Sequence, residues 1–108
     1  MNRLFNITDI TEDKAKGFTI NEHSLFAVKK DGQIYLYLNK CPHLNINLEF
    51  RPDDFLDSEN NFIQCVNHGA LFEIESGRCI AGPCSGQSLT PVKFKIENDQ
   101  VFVSDSLD

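Results

Sequence analysis

A chain of 108 residues with 41% apolar content, including nine Phe, suits one domain that buries roughly two-thirds of the surface its unfolded form exposes. Sixteen Asp and Glu against ten Lys and Arg leave a formal charge of -6, which argues against nucleic acid or an anionic membrane as partner and for a basic protein surface. The opening MNRLFNITDITEDK holds no apolar run long enough for a secretion signal or a membrane span, so a cytoplasmic location is expected. In that compartment the four Cys point to metal binding or redox chemistry rather than to a disulfide framework.

In chain order, SLFAVKK (24–30) and QIYLYLN (33–39) flank Asp31-Gly32, the strongest short signal for a two-residue hairpin turn. RPDDFLDSENN (51–61) is polar and carries a Pro, which predicts a surface loop or a single helical turn. NFIQCV and ALFEI read as short strands bracketing His68-Gly69, with a further turn at Ser76-Gly77. PVKFKIENDQVFVSD predicts a second hairpin, with Val92, Phe94 and Ile96 alternating on one arm, Val101 and Val103 on the other, and a turn around Asn98-Asp99. No segment sustains a 3.6-residue period, so the expected class is all-β and antiparallel, built from short strands.

Two fragments of this chain carry chemistry. Cys41-x-His43 is followed after 21 residues by Cys65-x-x-His68, so two loops each offer one sulfur and one nitrogen. Pro42 fixes its own φ and stiffens the first loop, and Gly69 permits a turn just beyond the second His that a β-carbon would obstruct. Two Cys and two His are also a common tetrahedral zinc set, so the residue types leave zinc and an iron–sulfur cluster both open. C-x-H is an unusual spacing for zinc.

CPH followed at this distance by CVNHGA resembles the signature of the Rieske iron–sulfur family, and SGRCIAGPCSGQSLTPV resembles that family's third loop. The resemblance covers nearly the whole chain. It implies a single domain over 1–108 with the Rieske-like fold of iron–sulfur protein domains: an antiparallel β-sandwich or partial barrel from about 1–40 and 85–108. A small β subdomain for cluster binding, about 41–84, would be inserted between those strands. It also implies one [2Fe-2S] cluster per chain, with Cys41 and Cys65 on one iron, His43 and His68 on the other, and Gly82-Pro83 as a shielding loop. Two ferric ions, two sulfides and two thiolates sum to zero charge, where four thiolates would leave -2. Adding an electron to the neutral centre therefore costs less.

The function that follows from the resemblance is one-electron transfer, from a reductase that contains a flavin to a terminal oxygenase or another metalloenzyme, with no catalysis by this chain itself. The imidazole edges of His43 and His68 are the expected exit. Rivals are the small subunit of an NADH-dependent nitrite reductase, many of which lack the ligands all present here, a zinc-stabilised module with no redox role, and an iron or redox sensor. Respiratory members carry an extra Cys in each cluster loop and a membrane anchor. Ile46 and Asn67 stand at those Cys positions here, which implies the soluble ferredoxin kind. Oxygenase subunits continue into a mononuclear-iron domain, whereas this sequence stops at Asp108, so oxygenation by this chain is not expected. High-potential members have a Ser and, two residues on, a Tyr after the second His loop. Ala70 and Phe72 occupy those places, so a low potential is expected. Cys79 and Cys84 are expected as buried free thiols, His23 as a surface residue, and Asp53, Asp54, Asp57 and Glu59 as a solvated face that could meet a basic partner.

Overall fold

The structure is a computed structural model that describes residues 2–20, 22–40, 55–65, 69–82 and 86–104. Its core is organised by the run Leu25-Phe26-Ala27-Val28, in which every residue is fully buried. Successive side chains of a strand point to opposite faces, so an unbroken buried run must be covered on both sides. The described strands are β1 (Asn2–Asn6), β2 (Lys14–Ile20), β3 (His23–Lys30), β4 (Gln33–Leu38), β5 (Ile63–Gln64), β6 (Leu71–Phe72), β7 (Cys79–Ala81), β8 (Phe94–Glu97) and β9 (Gln100–Val103), with a 3-10 turn at Ile7–Asp9. They form three antiparallel sheets, ordered β1-β9-β8, β2-β3-β4 and β5-β6-β7.

The sheet β2-β3-β4 is the middle layer. Leu25 and Ala27 of β3, with Ile34 and Leu36 of β4, pack against Phe5, Val92, Val101 and Val103. Phe26, Val28 and Tyr37 face the other way and pack against Phe55, Ile63, Phe72, Ile74 and Leu89, which places the small sheet β5-β6-β7 on that side. The hairpin between β3 and β4 forms as expected, with Lys30 opposite Gln33. Asp31 and Gly32 have φ of 52° and 75°, the pair of positive values that matches strand twist in a two-residue turn. The second hairpin is also as expected, with Asn98 and Asp99 at φ 51° and 63° between β8 and β9.

Three local features depart from the sequence expectations. β1 and β2 have no strong sequence signal, yet all seven residues of β2 pair with β3 and β1 pairs with β9 across a register shift between Arg3 and Phe5. The small sheet uses only two residues each of NFIQCV and ALFEI. The stretch 51–61 is not simply a surface loop, although 51–54 lie outside the described residues. Phe55 is fully buried and stacks on Phe26 with ring centroids 4.4 Å apart, and Leu56 bridges to Ile63. The Asp57 carboxylate accepts from the backbone N–H of Asn61 at 2.8 Å and of Phe62 at 3.0 Å, which closes a hairpin. An isolated Phe-Leu pair among acids shows no periodicity, and its partner on β3 is remote in sequence. Among the described residues no helix is long and apolar enough to cross a membrane.

Candidate metal centre

β5 runs directly into Cys65. The Cys65 backbone N–H donates to the carbonyl of Ala70 at 2.9 Å, and Gly69 turns the chain with φ 64°. The second candidate loop is thereby pinned at both ends of its turn. The Cys65 sulfur lies outside any disulfide, and the residue is fully buried beside Ala70, Phe72 and Cys79. β6 then pairs with β7, Leu71 opposite Ala81 and Phe72 opposite Cys79, which delivers the third loop to the same end of the sheet.

That delivery is close. A β-carbon at Gly82 would stand 2.9 Å from the Ala70 α-carbon and 3.1 Å from its β-carbon, and Gly82 has φ 101°. Only glycine adopts this conformation without strain and lets two backbones meet at this distance. The loops that begin at Cys65 and at Gly82 are therefore pressed together through Ala70. Of the expected site residues, the described part of the structure brings together Cys65 and Gly82, while Cys41, His43, His68 and Pro83 lie outside it. The seat that Ala70 provides for Gly82 has no signal in the sequence, because it depends on the register of β6 and β7.

The expectation for Cys79 is corrected. Cys79, almost fully buried, is disulfide-bonded, and its partner lies outside the described residues, as does Cys84. Redox compartment alone suggests free thiols, but compartment says nothing about which side chains a fold brings together. His23 is exposed at the start of β3, as expected. The donor chemistry fits an iron–sulfur ligand: a thiol removed from water, on a turn held by a backbone hydrogen bond and backed by a second backbone segment, is a soft and preorganised ligand.

A family model for the Rieske [2Fe-2S] domain matches residues 2–101, and the chain belongs to that family. It is similar to the ferredoxin component of the naphthalene 1,2-dioxygenase system of Pseudomonas putida, 27% identical over 97 residues that cover 90% of this chain and 88% of the relative. Among solved structures, the ferredoxin of carbazole 1,9a-dioxygenase from Nocardioides aromaticivorans IC177 superposes with a TM-score of 0.75 at 17% identity, covering 96% of each chain. The Sphingomonas yanoikuyae B1 ferredoxin does so with a TM-score of 0.75 at 23% identity, covering 96% of this chain and 97% of that one. A chain of the complex of reduced oxygenase and oxidized ferredoxin in carbazole 1,9a-dioxygenase matches with a TM-score of 0.73 at 18% identity, over 94% of this chain and 99% of that one. The all-β, Rieske-like fold expected from sequence is thus the one observed.

Proposed function

We propose that this protein is a one-electron carrier of the ferredoxin kind, taking an electron from a reductase that contains a flavin and passing it to a terminal oxygenase in the cytoplasm. The observation that carries this reading is the Rieske family match over nearly the whole chain, together with a buried Cys65 thiol on a pinned turn beneath Gly82. Cys41 and Cys65 would hold one iron as thiolates and His43 and His68 the other as imidazoles, with 41–84 as the cluster-binding part and 1–40 with 85–108 as its base. A [2Fe-2S] cluster so held supplies reversible uptake of one electron near neutral charge. This chain's own residues exclude water from Cys65, which lies in the apolar group of Ala70, Phe72 and Cys79, and Gly82 abuts Ala70; Gly82 and Pro83 would serve as the shielding loop. His43 and His68 would present their ring edges to the partner. The oxygenase is favoured as acceptor because related ferredoxins are named as components of dioxygenase systems.

Purification without oxygen tests the proposal. The expected product is red-brown, holds about two irons per chain, and takes up one electron per chain; Cys65→Ser should yield a colourless and less stable protein, since cluster binding couples to folding. A colourless wild-type protein with one bound zinc, or a Cys65→Ser variant with the full visible spectrum, would overturn the assignment.

A further inference from the structure

We propose that two copies of this chain pair through β8, edge to edge across a two-fold axis at Ile96, so that the sheet β1-β9-β8 continues into β8-β9-β1 of the second copy. The strand order of that sheet ends at β8. Of the large apolar side chains in the described part of the structure two are exposed, Ile80 and Ile96, and Ile96, at 46%, is the more exposed. It stands opposite Val101, which is fully buried. Ile96 therefore lies on the core-facing side of the sheet, at the edge where its cover stops.

The backbone of β8 is set to accept a further strand. Asn98 and Asp99 make a two-residue turn, and such a turn is closed by a hydrogen-bonded pair, here Glu97 with Gln100. Hydrogen-bonded and non-hydrogen-bonded pairs alternate along an antiparallel ladder. Lys95 therefore also bonds to β9, while the N–H and C=O groups of Phe94 and Ile96 point away from it. Edge strands that resist pairing carry a Pro, a bulge or a charge aimed into the contact. β8 has no Pro and no register shift against β9, and its two charges, Lys95 and Glu97, alternate with Ile96 and so lie on the solvent face.

Those charges select the occupant. Lys95 and Glu97 pair with each other at 2.7 Å within one chain. With the axis at Ile96, Ile96 meets its own copy as a hydrogen-bonded pair, and each Lys95 stands opposite the second copy's Glu97. Both opposite-charge pairs then fall at non-hydrogen-bonded positions, where facing side chains are closest. Moving the axis one residue either way sets Lys95 or Glu97 against its own copy, and like charges directly opposite are destabilising. The strand FKIE is self-complementary in one register. Four residues on each side bury far less than the roughly 1,200–2,000 Å² of a standard interface, so the dimer is weak and forms as concentration rises. The small sheet beside Cys65 packs on the other side of the middle sheet, so pairing through β8 leaves that end of the molecule uncovered.

Sedimentation equilibrium of the purified full chain tests the pairing between roughly 10 μM and 1 mM, the range in which so small a contact registers. The wild-type mass should rise from one chain toward two and no further. Lys95→Glu sets Glu against Glu and Glu97→Lys sets Lys against Lys, so each should hold the mass at one chain. The two substitutions combined should restore pairing, because every charge again faces its opposite. The single variants move the net charge in opposite directions, so their shared loss cannot come from overall repulsion. A wild-type protein that stays at one chain throughout would leave the edge to a strand of a different protein and overturn the proposal. Equal pairing in the single and double variants would place the contact elsewhere and overturn it too.

Discussion

At the scale of single residues, the contact between Gly82 and Ala70 sets how closely two backbones meet beside Cys65. A methyl group at 82 would meet backbone, which has nowhere to move, at a φ that side chains avoid. Gly82→Ala should cost roughly 1–3 kcal/mol in urea unfolding and hasten loss of the cluster, whereas a wild-type unfolding curve would show that the loop relaxes freely. Ala70 also bears on the potential. Hydroxyls that donate to cluster sulfurs stabilise the reduced, more negative state, and this chain has Ala70 and Phe72, both buried, where high-potential relatives have Ser and Tyr. The wild-type potential is expected at about -150 to -50 mV, low in the family range, and flat around neutral pH. Ala70→Ser should raise it. Protein-film voltammetry from pH 6 to 10 reads both, and a wild-type potential above about +100 mV would remove the missing hydroxyls from the explanation.

At the scale of elements, two ties join the small sheet region to the middle sheet. Tyr37 of β4 donates its hydroxyl to the carbonyl of Ile74 at 2.6 Å, and Phe55 stacks on Phe26 of β3. Burial first, and then the neighbouring Tyr35 and Glu75, push the Tyr37 phenol up to about 12 from an ordinary 10.0. A raised pKa in the folded state means the fold holds this proton more tightly than the unfolded chain. The stabilisation is whole below pH 10 and is lost as pH rises toward 12, by about 3 kcal/mol in all. Tyr37→Phe should flatten the alkaline fall in stability followed by urea titration from pH 9 to 12, at a loss of about 1 kcal/mol at neutral pH from the missing hydrogen bond; an unchanged alkaline slope would exclude Tyr37 as its source. Phe55→Ala removes a fully buried ring and should cost about 3–5 kcal/mol in the same assay. A loss under 1 kcal/mol would mean the 55–63 hairpin is not anchored there.

At the scale of the whole molecule, a charge of -6 should steer association with a partner that presents a basic surface, and the rate should fall as salt rises past about 0.1 M, where the Debye length is near 10 Å. The strands also sort the acids. β5 leads away from the 57–62 turn toward Cys65, so Asp57 and Glu59 sit at the far end of the small sheet from Cys65, as does the 73–78 turn with Glu73 and Glu75. Glu59→Gln with Glu75→Gln should therefore lower the association rate only through net charge, less than twofold at low salt by stopped-flow mixing with a reductase. Asp53→Asn with Asp54→Asn should slow it more if those residues meet the partner, and equal effects of the two pairs would dismiss any local docking role for acids.

The sequence by itself determined the features that depend on local chemistry. Asp31-Gly32 and Asn98-Asp99 set two turns because their backbones tolerate positive φ, and the Cys-His spacing with CVNHGA marks the family because a cluster needs those donors on stiff loops. Cys65 is a ligand candidate on these grounds, and the structure places it buried on a pinned turn. Other features arise only when remote segments meet. β1 and β2 are strands because β9 and β3 offer them free edges, and Phe55 is core because Phe26 has an open face. Ala70 supports Gly82 because β6 and β7 pair across a register shift that sets Leu71 opposite Ala81, and the disulfide state of Cys79 likewise depends on a second residue rather than on its own segment. Propensity and spacing describe what a segment accepts on its own, whereas hydrogen-bond edges, stacking faces and sulfur–sulfur proximity are properties of pairs that only the tertiary structure brings together.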